Sequence, residues 1–185
     1  MCIYWRARWL LKFHYSDSRI LQSKYVQSGK YGKWTASIWE TVVYDYKTCK
    51  RMHVNLDVPW PVSAQVRVIE PQNISFHEDD INNFQTFGSY FQAIGKIEIG
   101  RGTYIAPNVG IITANHDIKN LDSHLEPKAV VLGEKCWIGM NSVILPGVTL
   151  GNNTVVGAGS VVTKSFPEGN CVIAGSPAKK IKEIE

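Results

Sequence analysis

The sequence predicts an all-β solenoid of short parallel strands, and three observations point there. From Leu132 to Thr163 an aliphatic residue returns at every sixth position, at Leu132, Ile138, Ile144, Leu150, Val156 and Val162. Four places after each of the first five stands a compact residue: Cys136, Ser142, Val148, Thr154 and Ser160. Between these two sets lie Gly139, Asn141, Gly147, Gly151, Asn152, Asn153 and Gly159, residue types that tolerate the left-handed backbone of a sharp corner. A short fixed period of this kind defines a repeat architecture before any single residue is weighed.

The period translates into a triangular coil of three hexads, eighteen residues in all, with the aliphatic and compact positions pointing inward. Stacked coils pair as parallel strands and bury a column of aliphatics, each contributing about 1.5–3 kcal/mol when fully buried. A helix is excluded. Glycine and asparagine at this density would cost it several times the ~1 kcal/mol of one interior glycine.

Taken from the N-terminus, residues 1–57 form a segment of mixed, aromatic character. Met1 to Phe13 combines Trp5, Trp9, Leu10, Leu11 and Phe13 with Arg6, Arg8 and Lys12. It reads as a helix or strand packed on the solenoid end, or as an interfacial anchor at a membrane surface. The alternation of Ile38, Glu40, Val42, Tyr44 and Tyr46 with Trp39, Thr41, Val43, Asp45 and Lys47 favours a strand. The prolines of Pro59-Trp60-Pro61 break whatever precedes them, so the solenoid is expected over 58–166. Its register is faint at Val62, Val68 and Ile74, then clear at Ile99, Ile105 and Ile111. The next hexad should open at residue 117, yet the clear one opens at Leu132. Residues 117–131 therefore leave the coil as an excursion that begins directly after His116, and loops of that length in a regular scaffold are usually functional. Residues 167–185 are expected to cap the last coil, because an open end presents unpaired strand edges. Within them, Ala178-Lys-Lys-Ile-Lys-Glu-Ile suggests a short helix.

Composition narrows the function. The chain has 185 residues, one domain by length, and a net charge of +4, too mild for a nucleic-acid footprint but suited to a small anionic ligand. The cysteines Cys2, Cys49, Cys136 and Cys171 show neither zinc spacing nor a disulfide framework, which favours a reduced cytoplasmic setting. No eighteen-residue apolar run is present, so no spanning helix is expected. Charges interrupt the opening stretch and no small-residue cleavage site follows it, which argues against a secretory signal.

Several stretches resemble the hexapeptide-repeat acyltransferases, and among them the sugar and polysaccharide O-acetyltransferases. They are Ile105-Ala-Pro-Asn-Val, Thr113-Ala-Asn-His116-Asp117, Trp137-Ile-Gly, Val143-Ile-Leu-Pro-Gly-Val-Thr-Leu-Gly, Val156-Gly-Ala-Gly-Ser-Val-Val-Thr-Lys164 and Ala174-Gly-Ser-Pro-Ala-Lys179. The resemblance spans about 95–182 and weakens before residue 90. It implies a left-handed parallel β-helix, a hand that spacing alone does not give and that opposes the usual rule for parallel crossovers. It further implies a homotrimer with sites between subunits, acetyl-CoA as donor and a hydroxyl acceptor. The family's sugar enzymes carry an asparagine about thirty residues before the histidine. Here a gapless count falls on Thr86, and Asn83 fits only with a gap, so neither receives a role.

Acetyl transfer to a hydroxyl needs a base, because an alcohol is a poor nucleophile until its proton is taken. Histidine suits that task near neutral pH. His116, at the onset of the excursion and within the matching motif, is the candidate. The resemblance assigns the turn Trp137-Ile-Gly139-Met140 to the thioester groove, with the backbone N–H of Met140 as oxyanion donor. Ala158, Gly159 and Thr163 are candidates for the pantetheine arm, and Lys164, Lys179, Lys180 and Lys182 for the phosphates.

Other readings compete. A zinc hydratase on the same scaffold would need three histidines, and only His77, His116 and His124 are available; the Trp-Ile-Gly and Gly-Ser-Pro-Ala stretches favour acyl transfer, with no metal expected. An amino-sugar N-acetyltransferase would use the same base and thioester. A purely structural trimeric rod gives no reason for a histidine at the mouth of an excursion. His124 reads as a solvated or subunit-bridging loop residue. The acceptor expected from 1–57, which departs from the small-sugar enzymes, is a glycan or surface-polysaccharide precursor, with weak membrane-surface contact.

Overall fold

The structure is a computed structural model that describes residues 3–28 and 38–185; Met1 and Cys2 lie outside the described residues. Its N-terminal layer is helical. Helix α1 (Ile3–Phe13) buries Tyr4, Ala7, Leu10 and Leu11, the three- and four-residue spacing of one helical face. A 3₁₀ turn (Ser18–Gln22) follows, capped by the Asp17 carboxylate that accepts from the Arg19 amide, and then the short α2 (Lys24–Gln27). The next elements are α3 (Ile38–Glu40), a π-helical turn (Thr41–Asp45) and α4 (Tyr46–Met52), which ends at His53 in the left-handed region. The expected strand over 38–47 is thus replaced by helix. The residues that bury here are Ile38, Trp39, Val42, Val43 and Cys49, a helical spacing, whereas the two-residue alternation concerned residue type and not burial.

Next to Pro59, whose carbonyl accepts from the Asp17 N–H of the helical layer, Trp60 packs on the solenoid. Its ring meets Phe76 and Phe84 at 4.9 and 5.1 Å between centroids, and Phe84 meets Phe91 at 4.9 Å, so aromatic contacts run into the first coils.

From there the strands cycle over three faces in chain order. Strand β1 (Arg67–Ile69) lies on the first face and β2 (Ile74–Ser75) on the second, followed by a 3₁₀ helix (Glu78–Phe84). Strands β3 (Tyr90–Gln92), β4 (Ile97–Ile99) and β5 (Tyr104–Ile105) occupy the first, second and third faces. Strand β6 (Gly110–Ile112) returns to the first, after which β7 (His116–Asp117) and β8 (Asn120–His124) form an antiparallel hairpin outside the coil. The coil resumes with β9 (Val130–Leu132) on the second face and β10 (Trp137–Ile138) on the third. Strands β11 (Val143–Ile144), β12 (Thr149–Leu150) and β13 (Val155–Val156) make the next circuit, and β14 (Val161–Val162), a bridge from Leu150 to Phe166, and β15 (Cys171–Gly175) the last. The sheets read β1-β3-β6-β11-β14, β2-β4-β9-β12 and β5-β10-β13-β15, parallel throughout.

The sixfold period maps onto the core directly. Leu132, Ile138, Ile144, Leu150, Val156 and Val162 are all buried, as are Ile99, Ile105 and Ile111 before the excursion. The compact positions have a polar purpose as well as a steric one. Thr154 Oγ1 donates to the Gly151 carbonyl at 2.6 Å, and Cys136 Sγ approaches the same oxygen at 3.3 Å. Ser142 and Ser160 both donate to the Gly157 carbonyl. Each hydroxyl thereby satisfies backbone that a coil corner would otherwise bury unpaired. Of the residues expected at corners, Asn141, Gly147, Asn153 and Gly159 are left-handed. Gly139 and Gly151 serve by close approach instead: a Cβ on Gly139 would lie 2.6 Å from the Ala158 nitrogen.

Two boundaries differ from expectation. The excursion ends before Val130, because Val130 and Val131 already pair with β4 and β12, and Val130 is fully buried. The expected C-terminal helix is a strand, β16 (Ala178–Glu183), antiparallel to β15. Only Ala178 is buried in that segment, so a helix there would have no apolar face to pack, while the open edge of β15 offers a full set of hydrogen bonds.

Candidate active site

His116 sits on β7, where the chain leaves the first face, and its ring is fixed by the hairpin it opens. Its Nδ1 lies 2.8 Å from the Leu121 carbonyl oxygen. A carbonyl only accepts, so Nδ1 carries the hydrogen and the neutral ring leaves Nε2 with its lone pair free, the tautomer a base requires. His124 is directly opposite on β8, and the two imidazoles stack with centroids 4.2 Å apart and planes inclined by 36°. Sequence reasoning gave His124 no such place; a hairpin inside the excursion, which pairs residues 116 and 124, is the signal that was missing. The hairpin is tied back to the coil by Leu125 N–H to the Asn115 carbonyl and Lys128 N–H to the Thr113 carbonyl, both 2.8 Å. It carries Ile118, Leu121 and Leu125 outward, with Ile118 90% exposed.

The residues expected to form a thioester groove lie elsewhere. Trp137 is on the third face, 57% exposed, in an outward row with Tyr104, Val155 and Val172. Gly139 and Met140 follow at the corner between the third and first faces. One coil on, Ala158 and Gly159 stack at the same corner, where Gly159 N–H donates to the Met140 carbonyl at 2.8 Å. Among the described residues the N–H of Met140 has no protein acceptor, and neither has that of Ala158. Pro107 occupies the equivalent place one coil earlier, with Asn108, Asn141 and Gly159 left-handed after each of the three. The coil therefore needs no donor at this position, and residues 140 and 158 leave two N–H groups without a protein acceptor among the described residues.

The remaining candidates divide between edges. Thr163 and Lys164 follow β14 at the corner between the first and second faces, the edge from which the hairpin departs, with Lys164 Nζ 5.5 Å from the Phe166 ring centre. Lys179 pairs with Ala174 beside the third-to-first corner, and Lys182 ends the outward row that contains Trp137. Lys180 is engaged with Glu183 and Glu168. One chain thus brings Gly139, Met140, Ala158, Gly159 and Lys179 to one edge of the first face, and His116, Thr163 and Lys164 to the other. It does not bring His116 to Met140.

Asn83 is committed to structure. Buried, it accepts from Ile105 N–H at 2.9 Å and donates to the Thr103 carbonyl at 2.8 Å, closing the start of the third face. Thr86 faces Ser89 at 3.4 Å. His77 is distant from the stacked pair in function: its Nδ1 accepts from Asp79 N–H and caps the 3₁₀ helix. Among the described residues no three His, Cys, Asp or Glu side chains are placed to hold a metal ion. Burial raises the thiols of Cys49 (to about 11), Cys136 and Cys171, all free, so none is a ready nucleophile. Among the described residues no helix is long and apolar enough to cross a membrane.

Comparison with known proteins agrees with this architecture. Residues 129–164 match the family described as bacterial transferase hexapeptide (six repeats). A Dictyostelium discoideum protein that bears the name of an acetyltransferase is 50% identical over 106 residues, 56% of this chain and 55% of its own. WbbJ of Escherichia coli (strain K12), named for O-acetyl transfer in lipopolysaccharide biosynthesis, is 44% identical over 106 residues, 51% of this chain and 54% of its own. The chain thus spans about half the length of these curated relatives. Among solved structures, a maltose O-acetyltransferase from Clostridium difficile 630 is 38% identical, with TM-score 0.50, over 66% of this chain and 60% of that one. A galactoside acetyltransferase in complex with coenzyme A shares the fold over 99% of this chain and 81% of its own, with TM-score 0.54 and 24% identity. The array over 129–164 thus matches the bacterial transferase hexapeptide repeat, and the chain around it is similar to proteins named as acetyltransferases.

Proposed function

We propose that the protein transfers an acetyl group from acetyl-CoA to a hydroxyl of a sugar or polysaccharide precursor, on a left-handed solenoid assembled as a trimer. The observation that carries this reading is the 2.8 Å contact of His116 Nδ1 with the Leu121 carbonyl oxygen, which favours the tautomer that leaves Nε2 as the acceptor. The names of the maltose enzyme and of WbbJ support a hydroxyl acceptor on a glycan. The setting that goes with this reading is the cytoplasm, where acetyl-CoA is available and buried thiols such as Cys136 and Cys171 stay reduced.

In this mechanism His116 Nε2 takes the hydroxyl proton as the oxygen attacks the thioester carbonyl. The Met140 N–H stabilises the resulting oxyanion, worth about 10²–10³-fold in the rate for a donor of this kind. Collapse breaks the carbon–sulfur bond, and the imidazolium returns its proton to the departing thiolate of coenzyme A. Trp137 walls the groove, the N–H of Ala158 and the corner at Gly159 meet the pantetheine amides, and Lys164, Lys179 and Lys182 supply charge for the phosphates.

The test is thiol release from acetyl-CoA across a panel of sugars, oligosaccharides and amino sugars. Turnover is expected with a hydroxyl acceptor, and His116→Ala should lower it by about 10²–10⁴-fold with acetyl-CoA affinity retained. Unchanged turnover in that variant at saturating acceptor would remove His116 from the chemistry, and activity confined to amino groups would move the reaction to N-acetylation.

A further inference from the structure

The outer face of α1 plays no part in the proposed chemistry and has a composition of its own. Its exposed residues are Trp5, Arg6, Arg8, Trp9, Lys12 and Phe13. On a helix of 100° per residue they fill one continuous arc of about 160°. Trp5, Trp9 and Phe13, each separated by four residues, form a central stripe, with Arg8 and Lys12 on one flank and Arg6 on the other. The stripe is laid open: the three aromatic side chains are 56, 57 and 65% exposed. The helix contains no carboxylate. Its opposite arc, Tyr4, Ala7, Leu10 and Leu11, is buried against the protein, so α1 is held with the aromatic stripe outward. Trp5, Arg8, Trp9 and Lys12 together with Leu21 line an open groove of about 530 Å³.

From this arrangement we propose that α1 docks the protein on an anionic lipid bilayer surface. The argument is charge complementarity combined with geometry. Indole and phenyl rings settle at the level of lipid head groups, where one part of the ring is apolar and another meets water. Cations on both flanks of such a stripe sit over the phosphates, each adding attraction only where the surface is negative. The guanidinium, ammonium and indole N–H groups of this face are all donors, and with no carboxylate among them the face is matched to phosphate oxygens. The contact is reversible, because one short interfacial helix is a single weak anchor.

Sedimentation with vesicles tests this on the full chain. Vesicles of phosphatidylcholine with 30% phosphatidylglycerol, a fraction chosen roughly to give a strongly anionic surface, should retain the protein, and pure phosphatidylcholine should retain it about tenfold less. Raising the salt severalfold should release it. The triple variant Trp5→Ser, Trp9→Ser, Phe13→Ser should lose binding, and Arg8→Gln with Lys12→Gln should weaken it about tenfold and flatten its salt dependence. All five altered positions are exposed, and the charge variant leaves every packed ring in place, so it tests the idea even if the triple variant misfolds. Equal retention on neutral and anionic vesicles, or no loss in the charge variant, overturns the proposal. So does a change of particle size by light scattering in the aromatic variant without vesicles, which would make the stripe a contact between copies of the chain.

Discussion

His116 illustrates how much of a candidate base's character comes from neighbours that its own motif does not name. The Leu121 carbonyl fixes which nitrogen carries hydrogen, and the His124 ring lies against the imidazole at 4.2 Å. A ring held on one side by a hydrogen bond and on the other by a stacked partner has few orientations open to it, and orientation is worth rate when the reacting atoms must align. Replacing His124 by alanine should therefore lower kcat roughly tenfold with little change in KM for acetyl-CoA, and His124→Phe, which restores a ring but no basic nitrogen, should recover most of the loss. Steady-state kinetics of the two variants decides between them. Equal loss in both would assign His124 a role through its nitrogens, and no loss in either would leave it a surface residue of the hairpin. The motif made His116 legible, because histidine at the break of a strict register is conspicuous. The partner was not legible: residue 124 acquires meaning only from the antiparallel register of β7 and β8.

At the scale of the element, the six-residue period was readable because each position obeys one local rule, in or out, repeated without exception from Leu132 to Val162. Close approach between coils was only half readable. Glycines were expected for their backbone freedom, yet a Cβ at Gly151 would lie 2.3 Å from the Pro167 carbonyl oxygen and 2.5 Å from the Gly169 nitrogen, backbone atoms that cannot swing aside. At Gly102 the limitation is the reverse: φ is +77°, and the nearest atom to a built Cβ is the flexible Lys135 Cγ at 3.5 Å. Gly151→Ala should accordingly destabilise by about 1–3 kcal/mol through overpacking of the coil, and Gly102→Ala by about 1–2 kcal/mol through backbone strain alone. Chemical denaturation of both variants checks the difference, and a Gly151→Ala protein as stable as the parent would show that the last coils can part without cost. Where the period is absent, the sequence was least informative. Ile38 to Met52 has β-branched and aromatic residues in alternation but buries a helical set, because packing against α1 decides the outcome over local preference. The tail erred in the other direction, since Ala178 to Glu183 has helix-forming residues and yet closes the edge of β15.

On the scale of the whole molecule, the separation of the candidate groups decides the assembly that the proposed chemistry needs. His116, Thr163 and Lys164 are on one edge of the first face, and Gly139, Met140, Ala158 and Gly159 on the other, so a single chain carries the proposed base at one edge and the proposed oxyanion donor at the other. The hairpin leaves Ile118, Leu121 and Leu125 exposed, and the third face leaves Trp137 and Tyr104 exposed, surface that a neighbouring copy would cover. In the proposed trimer, a head-to-tail ring would place the His116 edge of each copy against the Met140 edge of the next. Two inactive variants then complement each other. His116→Ala removes the base, and Met140→Pro removes the N–H at a place where Pro107 already stands in the equivalent coil, so the backbone can accept it. Each variant alone should be impaired by about 10²-fold or more. In every mixed ring, one interface of the three joins an intact histidine to an intact Met140 amide, and purified mixed trimers should regain about a third of the parent's turnover. Co-expression with two different affinity tags isolates them. Mixed trimers no more active than either variant would mean that base and oxyanion donor act within one subunit, and a chain that stays monomeric at micromolar concentration would deny the ring altogether.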